Sequence, residues 1–450
     1  MTADRSSSAT KLAFAAVTTL FFAWGFITSL IDPLVGAVKG VFTLTDLQAQ
    51  LSAFAFFIAY GLVSFPAAVL LSRLRSVPSI LVALVTMVAG CIVMLVAANL
   101  AVYTLVLLGL FILASGITTL QVAANPLAAA LGDPRFSHLR LTLSQTFNSL
   151  GTFLGPLIGA HLFLRGVEVK HGAVVTGAVR AQTLGGINSA YFWISGLIAA
   201  LAVFFFLSRG VVSGAAPRPS DETARRGVGA MIGDALGSPW ARFGGLAIFL
   251  YVGAEVSIGT QMALFLNSDA IWGRSDALFA VPLIDWAVPR DNVVGLSLEQ
   301  AGKAVALYWG GAMVGRALGS ALLARVPAAR LLALFTAIAG CMCLFVVLVG
   351  GVASGFVALA IGLFNSIMFP VIFTLTLERS TASKEATSGF LCTAIVGGAF
   401  VPLVVGTVSG AAGYATALIV PALCYAMLCA FALAAGRART HRDVAAESFH

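Results

Sequence analysis

The sequence predicts an all-α membrane protein in which twelve transmembrane helices form two six-helix halves. Three observations support this prediction. Of the 450 residues, 60% are hydrophobic and only 10% are charged, whereas a soluble domain of this size carries about a quarter charged residues. The chain contains twelve apolar runs of membrane-spanning length. One connection rich in Gly, Pro, Ser and charged residues divides these runs six and six.

The apolar runs follow one another with mostly short connections between them. Each has roughly 20 residues or more, which is the length that a helix needs to cross a bilayer. The first run is too long for the apolar core of a signal peptide, so no cleavable signal is expected. The runs lie at 12–37, 48–72, 77–98, 101–130, 139–164, 188–208, 242–267, 300–325, 327–351, 353–377, 386–411 and 413–436.

The composition of residues 209–241 predicts a cytoplasmic linker between an N-terminal half at 1–208 and a C-terminal half at 242–450. Short stretches recur in the same order in both halves, which indicates an internal duplication. Two related halves around a central site are typical of a transporter that opens to each side in turn. The paired stretches are FFAWG (21–25) with FLYVG (249–253), AVLLSRL (68–74) with SALLARV (320–326), and GLF (109–111) with GLF (362–364).

The net charge of +8 follows the predicted topology. With the N-terminus inside, the inner connections and tails hold 18 Lys and Arg residues and the outer connections hold 7. This bias obeys the positive-inside rule and places both termini in the cytoplasm. We therefore expect a multi-pass integral membrane protein whose basic residues face the cytoplasm, with no nucleic-acid partner.

Several function classes lack their sequence signals. The six cysteines fall inside the apolar runs without the spacing of a disulfide framework or a zinc site. The chain has no G-x-x-x-x-G-K-[ST] phosphate loop, and no nucleophile–base constellation is visible. We expect that the protein is not an enzyme and that it has no cofactor and no bound metal.

Only two of the 18 acidic residues lie deep in apolar runs, namely Asp32 and Glu255 in the first helix of each half. A carboxylate at bilayer depth costs roughly 2.5–3.5 kcal/mol on insertion scales and marks a functional site by default. Burial favours the neutral form, so we expect both groups to take up and release a proton. Pro33 removes a helical hydrogen bond beside Asp32, and such breaks survive where a helix lines a cavity or is buried in protein. The alternatives are a structural carboxylate paired with Arg316 and, for Glu255, a hydrogen bond to substrate or a contact that locks a pair of helices.

Uncharged polar side chains accompany the acids. They fall at helical spacing in the first, fourth and fifth runs, and they suit a ligand rich in hydroxyl groups because amides both donate and accept. An aromatic ring can cover the apolar face of a sugar. The alternative is that these amides join helices, at about 0.6 kcal/mol each. The candidate binding residues are Trp24, Thr28, Gln121, Asn125, Gln145, Asn148 and Asn365.

Several stretches, spread over nearly the whole chain, are similar to the major facilitator superfamily, in its fucose permease and glucose/galactose permease branch. They are FFAWGFITSLID (21–32), GLFILASGITTLQVAANPLAAALG (109–132), LTLSQTFNSLGTFLGP (141–156), YVGAEVSIGTQ (251–261), YWGGAMVGRALGS (308–320), GLFNSIMFPVIFTL (362–375) and AIVGGAFVPLVVG (394–406). The resemblance implies proton coupling at Asp32. It also implies sugar binding at the positions of Gln121, Gln145, Asn148 and Asn365. Gln121 follows the glucose/galactose pattern, since the fucose permeases have an acid there.

From the residues and the resemblance together we expect a monomeric secondary transporter in a bacterial inner membrane. It would import a glucose- or galactose-type hexose, or a related sugar, by proton symport. Its partners would be the sugar, a coupling proton and the lipid bilayer. Two alternatives remain open: sodium-coupled sugar symport, which would use the same Asp32, and proton-coupled export of apolar compounds. The long outer connection at 268–299 has no assigned role.

Overall fold

A computed structural model describes residues 2–74, 76–131, 137–165, 167, 176–215, 227–273, 296–323 and 325–438. Throughout these residues the secondary structure is helical, without strands. In the first half the α-helices are α1 (Thr2–Ser29), α2 (Ile31–Val41), α3 (Asp46–Leu74), α4 (Ser76–Leu100), α5 (Tyr103–Ala130), α6 (Ser137–Phe163) and α7 (Gly177–Leu207).

Two short helices follow within the predicted linker, α8 (Arg209–Ala215) and α9 (Val228–Gly237). The second half begins with α10 (Pro239–Asn267), which a π-helical turn at Asp269–Gly273 follows. It continues with α11 (Leu298–Leu323), α12 (Ala328–Val349), α13 (Gly351–Asn365), α14 (Met368–Arg379), α15 (Lys384–Thr393), α16 (Gly397–Ala412), α17 (Tyr414–Ala417) and α18 (Ile419–Arg437).

The described helices form the predicted bundle of twelve. Ten spans are long and apolar enough to cross a membrane, and α6 and α11, with 27 and 26 residues, complete the set. Four spans are interrupted, namely α1–α2, α13–α14, α15–α16 and α17–α18.

Two boundaries differ from the sequence expectation. The sixth span begins at Gly177, before the expected 188, and the Thr176 side chain caps it by accepting a hydrogen bond from the Val179 amide. The predicted start is too late because polar residues in the first turns lower the hydropathy of this segment, although they do not oppose a helix. Helix α10 begins at Pro239, where Ser238 is the N-cap, so the helix starts inside the predicted linker.

We call the end of the bundle where α1 begins and α18 ends the terminal face, and the opposite end the distal face. The two halves pack along α6 with α11 and along α3 with α16. At the distal face, Lys39 and Asp46 of the first half meet Tyr414 of the second, with 2.7 Å between the Tyr414 hydroxyl and the Asp46 carboxylate. The halves are therefore in contact at the distal face.

Further polar contacts close the same end. His161 Nδ1 of α6 lies 3.0 Å from Glu299 Oε1 of α11, and Lys303 Nζ lies 2.8 Å from the same oxygen. Deeper in the bundle, the Thr260 hydroxyl of α10 donates to Gln50 Oε1 of α3 at 3.0 Å. The site lies between this closed end and the terminal face.

Candidate functional site

The first span breaks directly before its buried acid. Helix α1 ends at Ser29 and α2 begins at Ile31, and Pro33 has no N–H to donate to the preceding turn. Asp32 lies in the first turn of α2 and is 4% exposed. The break predicted from Pro33 is thus present, and it places the carboxylate at the start of a new helix.

Asp32 contacts the other half of the protein. The indole Nε1–H of Trp309, on α11, donates to Asp32 Oδ2 at 2.6 Å. Helix α10 supplies Gly259, where a Cβ atom would lie 3.1 Å from Asp32 Oδ1 and 3.3 Å from Trp309 Cζ2. The absence of a side chain at Gly259 therefore lets α2, α10 and α11 meet around the carboxylate.

Glu255 is partly buried on α10, four residues before Gly259. Four residues are about 6 Å of helix rise, so Glu255 lies about one turn nearer the terminal face than the helix position that contacts Asp32. Its carboxylate has the Tyr251 hydroxyl as a hydrogen-bond partner and lies within electrostatic range of Arg316. It also acts electrostatically on Asp32. The structure therefore brings the two predicted acids into one neighbourhood.

Arg316 connects the two halves. Its Nη1 donates to the Ser149 hydroxyl of α6 at 2.6 Å. The guanidinium thus reaches from α11 to the first half and faces Glu255 as well. Arg316 thus acts electrostatically on Glu255, and a structural pairing of the two stays an alternative to proton coupling at Glu255.

In the first half, two of the predicted binding residues have buried polar atoms without a hydrogen-bond partner among the described residues. These atoms are Thr28 Oγ1 on α1 and Asn125 Oδ1 on α5. Buried polar atoms are usually paired, and an unpaired one in a native structure calls for an explanation such as a missing ligand or water. Trp24 is buried with its ring 4.1 Å from that of Phe21, and Gln145 is partly buried on α6.

The other two amides of the first half have protein partners. Gln121 Nε2 donates to the Tyr60 hydroxyl of α3 at 2.7 Å. Asn148 Nδ2 donates to the backbone carbonyl of Phe21 at 3.1 Å, and its side chain lies where a Cβ on Gly25 would be. Asn148 therefore joins α6 to α1 through a backbone carbonyl, whereas the hydrogen-bond partner of Gln121 is a side-chain hydroxyl.

Asn365, the candidate sugar-binding residue of the second half, is fully buried at the end of α13. Its Nδ2 donates to the Tyr308 hydroxyl at 2.7 Å, and its Oδ1 accepts from the Tyr425 hydroxyl at 2.8 Å. The Tyr308 hydroxyl in turn donates to the backbone carbonyl of Glu255 at 3.3 Å. Asn365 thus lies in a network that joins α10, α11, α13 and α18, and a sugar contact at Asn365 stays a prediction.

Sequence reasoning missed the aromatic partners of these polar groups. Trp309 lies in the stretch YWGGAMVGRALGS (308–320), but the sequence did not indicate that it contacts Asp32. Nor did it indicate that Tyr60, Tyr308 and Tyr425 pair with the amides. A signal was present, because a buried Trp N–H or Tyr O–H normally has a hydrogen-bond partner. What the sequence does not contain is which acid or amide on another helix provides that partner.

Comparisons with known proteins agree with this architecture. A family model described as Major Facilitator Superfamily matches residues 13–394. The glucose/galactose transporter of Brucella abortus is 39% identical over 94% of this chain and 93% of its own length. The L-fucose-proton symporter of Escherichia coli is 31% identical over 93% and 92%. A crystal structure of the E. coli fucose:proton symporter superposes with a TM-score of 0.68 at 26% identity, covering 96% of this chain and all of that one.

Proposed function

The chain belongs to the major facilitator superfamily, in its fucose and glucose/galactose permease branch, and we propose that it imports a monosaccharide together with a proton. Proteins of this superfamily are transporters and not enzymes. The proposed substrate is a glucose- or galactose-type hexose or a related sugar. Support comes from the names of the relatives and from Gln121, which follows the glucose/galactose pattern.

The observation that carries the proposal is the position of Asp32. The carboxylate is buried between the halves, where it accepts a hydrogen bond from Trp309 and faces the position that a Cβ on Gly259 would take. A group whose surroundings change when the halves move can have a different proton affinity in each state. Asp32 would load a proton from one side and release it to the other, and Glu255 would serve as the second acid of the same path.

The sugar would bind between the halves, on the terminal side of Asp32. Thr28 Oγ1 and Asn125 Oδ1 are unpaired among the described residues and can each accept a hydrogen bond from a sugar hydroxyl. Gln121 and Gln145 would add amide contacts, and Trp24 would cover an apolar face of the ring. Asn148 and Asn365 complete the proposed set. Their hydrogen bonds to neighbouring helices would hold the walls of the site in place, in addition to any contact with the ligand.

We further propose that the protein acts as a monomer in a bacterial inner membrane with both termini in the cytoplasm. The charge bias of 18 against 7 basic residues supports this orientation. The terminal face would then be cytoplasmic, and residues 209–241 would link the moving halves 1–208 and 242–450. One charge crossing about 100 mV yields roughly 2.3 kcal/mol, enough for about 50-fold accumulation of the sugar.

The experiment is uptake of labelled hexoses by right-side-out vesicles with imposed pH or sodium gradients. We expect uptake to rise as the distal-side pH falls from about 8 to about 6, because more protons then reach Asp32 from that side and a neutral site binds sugar more readily than a charged one. Sugar added to unbuffered vesicles should make the medium more alkaline. Uptake that follows sodium without alkalinisation would identify sodium as the coupling ion. Proton entry linked to the exit of a bulky apolar compound would overturn the sugar proposal.

A further inference from the structure

The hydrogen bond from Trp309 to Asp32 crosses from one half of the protein to the other. Helix α2 carries the acceptor and α11 carries the donor, and the Nε1–Oδ2 distance is 2.6 Å. We propose that Trp309 is a positioning residue for the transported proton: its indole N–H stabilises the charged form of Asp32 when the halves meet at the distal face, and so promotes release of the proton. This inference rests on the proton coupling of the proposed function.

The chemistry of the indole gives the bond its direction. An indole N–H donates and cannot accept, so it cannot serve a protonated carboxyl as a partner for the acid O–H. A hydrogen bond to an ionised acceptor is roughly twice as strong as one between neutral groups. Trp309 therefore favours the deprotonated carboxylate over the neutral acid.

The packing makes the bond depend on the closed distal face. Gly259 of α10 lies beside both Asp32 and Trp309, and a Cβ atom at this position would be tightly packed against each of them. The same closed end holds the cluster of Lys39, Asp46 and Tyr414 and the pair of His161 and Glu299. Since the indole and the carboxylate belong to different halves, separation of the halves at this end pulls donor from acceptor. In the distal-open state water hydrates the carboxylate, whereas in the closed and buried state the indole N–H is the donor that offsets part of the cost of burying the charge.

The other charged groups near Asp32 leave this role to Trp309. Glu255 of α10 acts on Asp32 electrostatically, and as a second carboxylate it opposes the charged form. The ionisable side chains at the distal ends of α2, α3, α6 and α11 contact one another; they are Lys39, Asp46, His161, Glu299 and Lys303. The indole is therefore the group that compensates the charge of Asp32 among the described contacts.

The proton balance is simple. With the distal face open, a carboxylate oxygen of Asp32 takes a proton from water on that side and an O–H bond forms. When the halves close, the indole N–H moves to the carboxylate, the O–H bond breaks, and the proton passes to water that communicates with the terminal face. No other reactant is consumed, and the carboxylate returns to its charged state.

The test measures the protonation of Asp32 directly. Infrared titration of the full-length protein in lipid vesicles would follow the carboxyl band that Asp32→Asn abolishes. Trp309→Phe removes the donor, and we expect the titration midpoint to rise by about one to two pH units, the equivalent of a roughly 10- to 100-fold preference for the charged form. Trp309→Gln keeps an N–H donor and should restore part of the shift. Trp193→Phe is the matched control, since Trp193 is 72% exposed on α7.

Transport supplies the second readout. In Trp309→Phe, net uptake with the terminal side at pH 7 should fall about tenfold and recover when that side is made more alkaline by one to two units. Sugar exchange at acidic pH on both sides, which needs no proton release, should stay near the wild-type rate. An unchanged midpoint, or an equal loss of exchange and uptake at every pH, would overturn the inference. A shifted midpoint in a protein that accumulates no sugar would uphold the inference and refute the proposed substrate.

Discussion

The two halves differ in how fully their buried candidate polar groups are paired. In the second half, both ends of the Asn365 amide are paired with tyrosine hydroxyls, and that network extends to the backbone of α10. In the first half, Thr28 Oγ1 and Asn125 Oδ1 are buried without a partner among the described residues. A buried asparagine is thus part of a hydrogen-bonded network in the second half, whereas in the first half another asparagine and a threonine leave hydrogen-bonding capacity unused.

This difference indicates that the two halves contribute differently to the rigidity of the site and to ligand recognition. A completed buried network fixes the helices that contribute to it, because breaking one bond leaves its partner unpaired at a cost of about 1–3 kcal/mol. Unused capacity carries the same cost in the empty protein, and a ligand with hydroxyl groups can remove it. We infer that the second half supplies the more rigid wall of the site and the first half supplies more of the adaptable contacts.

The largest effect is expected at Asp32, where the halves meet. Asp32→Asn keeps the shape of the side chain but cannot release a proton, so pH-driven accumulation of sugar should be abolished. Binding and exchange of sugar should remain measurable. Vesicle uptake with and without a pH gradient checks this, and normal gradient-driven accumulation by the variant would remove Asp32 from the coupling path.

The next largest effect tests the completed network. Asn365→Leu leaves the hydroxyls of Tyr308 and Tyr425 without their amide partner, and we expect a loss of about 2–4 kcal/mol in the free energy of unfolding. Thermal unfolding in detergent gives the measurement. Tyr425→Phe, which removes a single bond, should cost about 1 kcal/mol. If Asn365→Leu keeps wild-type stability and loses only sugar affinity, Asn365 belongs with the binding contacts and the contrast between the halves is wrong.

The sequence predicted the fold well and the site in part, for physical reasons. Helix number and the depth of Asp32 follow from hydropathy along the chain, which is local information. The break before Asp32 follows from Pro33, which is local as well. The partners are not local: Trp309 lies 277 residues from Asp32, and no periodicity encodes that contact. The pairing of Asn365 was missed for the same reason, because its tyrosines come from α11 and α18.

A third prediction compares two amides within the first half. Gln121→Ala and Asn148→Ala should each weaken sugar binding by about 1–3 kcal/mol, measured by calorimetry. The two should differ in stability. Asn148 donates to the carbonyl of Phe21 and joins α6 to α1, so its loss should also lower the unfolding temperature. Gln121 donates to a side-chain hydroxyl, that of Tyr60, so its loss removes no contact with a helix backbone and should leave that temperature closer to the wild-type value. Unchanged affinity in both variants would make these amides helix contacts alone.

The smallest effect gives the sharpest test, because stability and affinity should change in opposite directions. Thr28→Val keeps the shape of the side chain and removes a buried hydroxyl that lacks a partner. The empty protein should therefore gain about 1 kcal/mol in stability, while sugar binding should weaken by about 0.5–1.5 kcal/mol.

Thr183 of α7 provides the control, since its Oγ1 is also buried and unpaired among the described residues but lies outside the proposed site. Thr183→Val should show the same stabilisation with unchanged affinity. If both variants bind sugar with unchanged affinity in calorimetry, the unpaired hydroxyl of Thr28 has no part in recognition. The unused hydrogen-bonding capacity of the first half would then lie in Asn125 alone among the candidates.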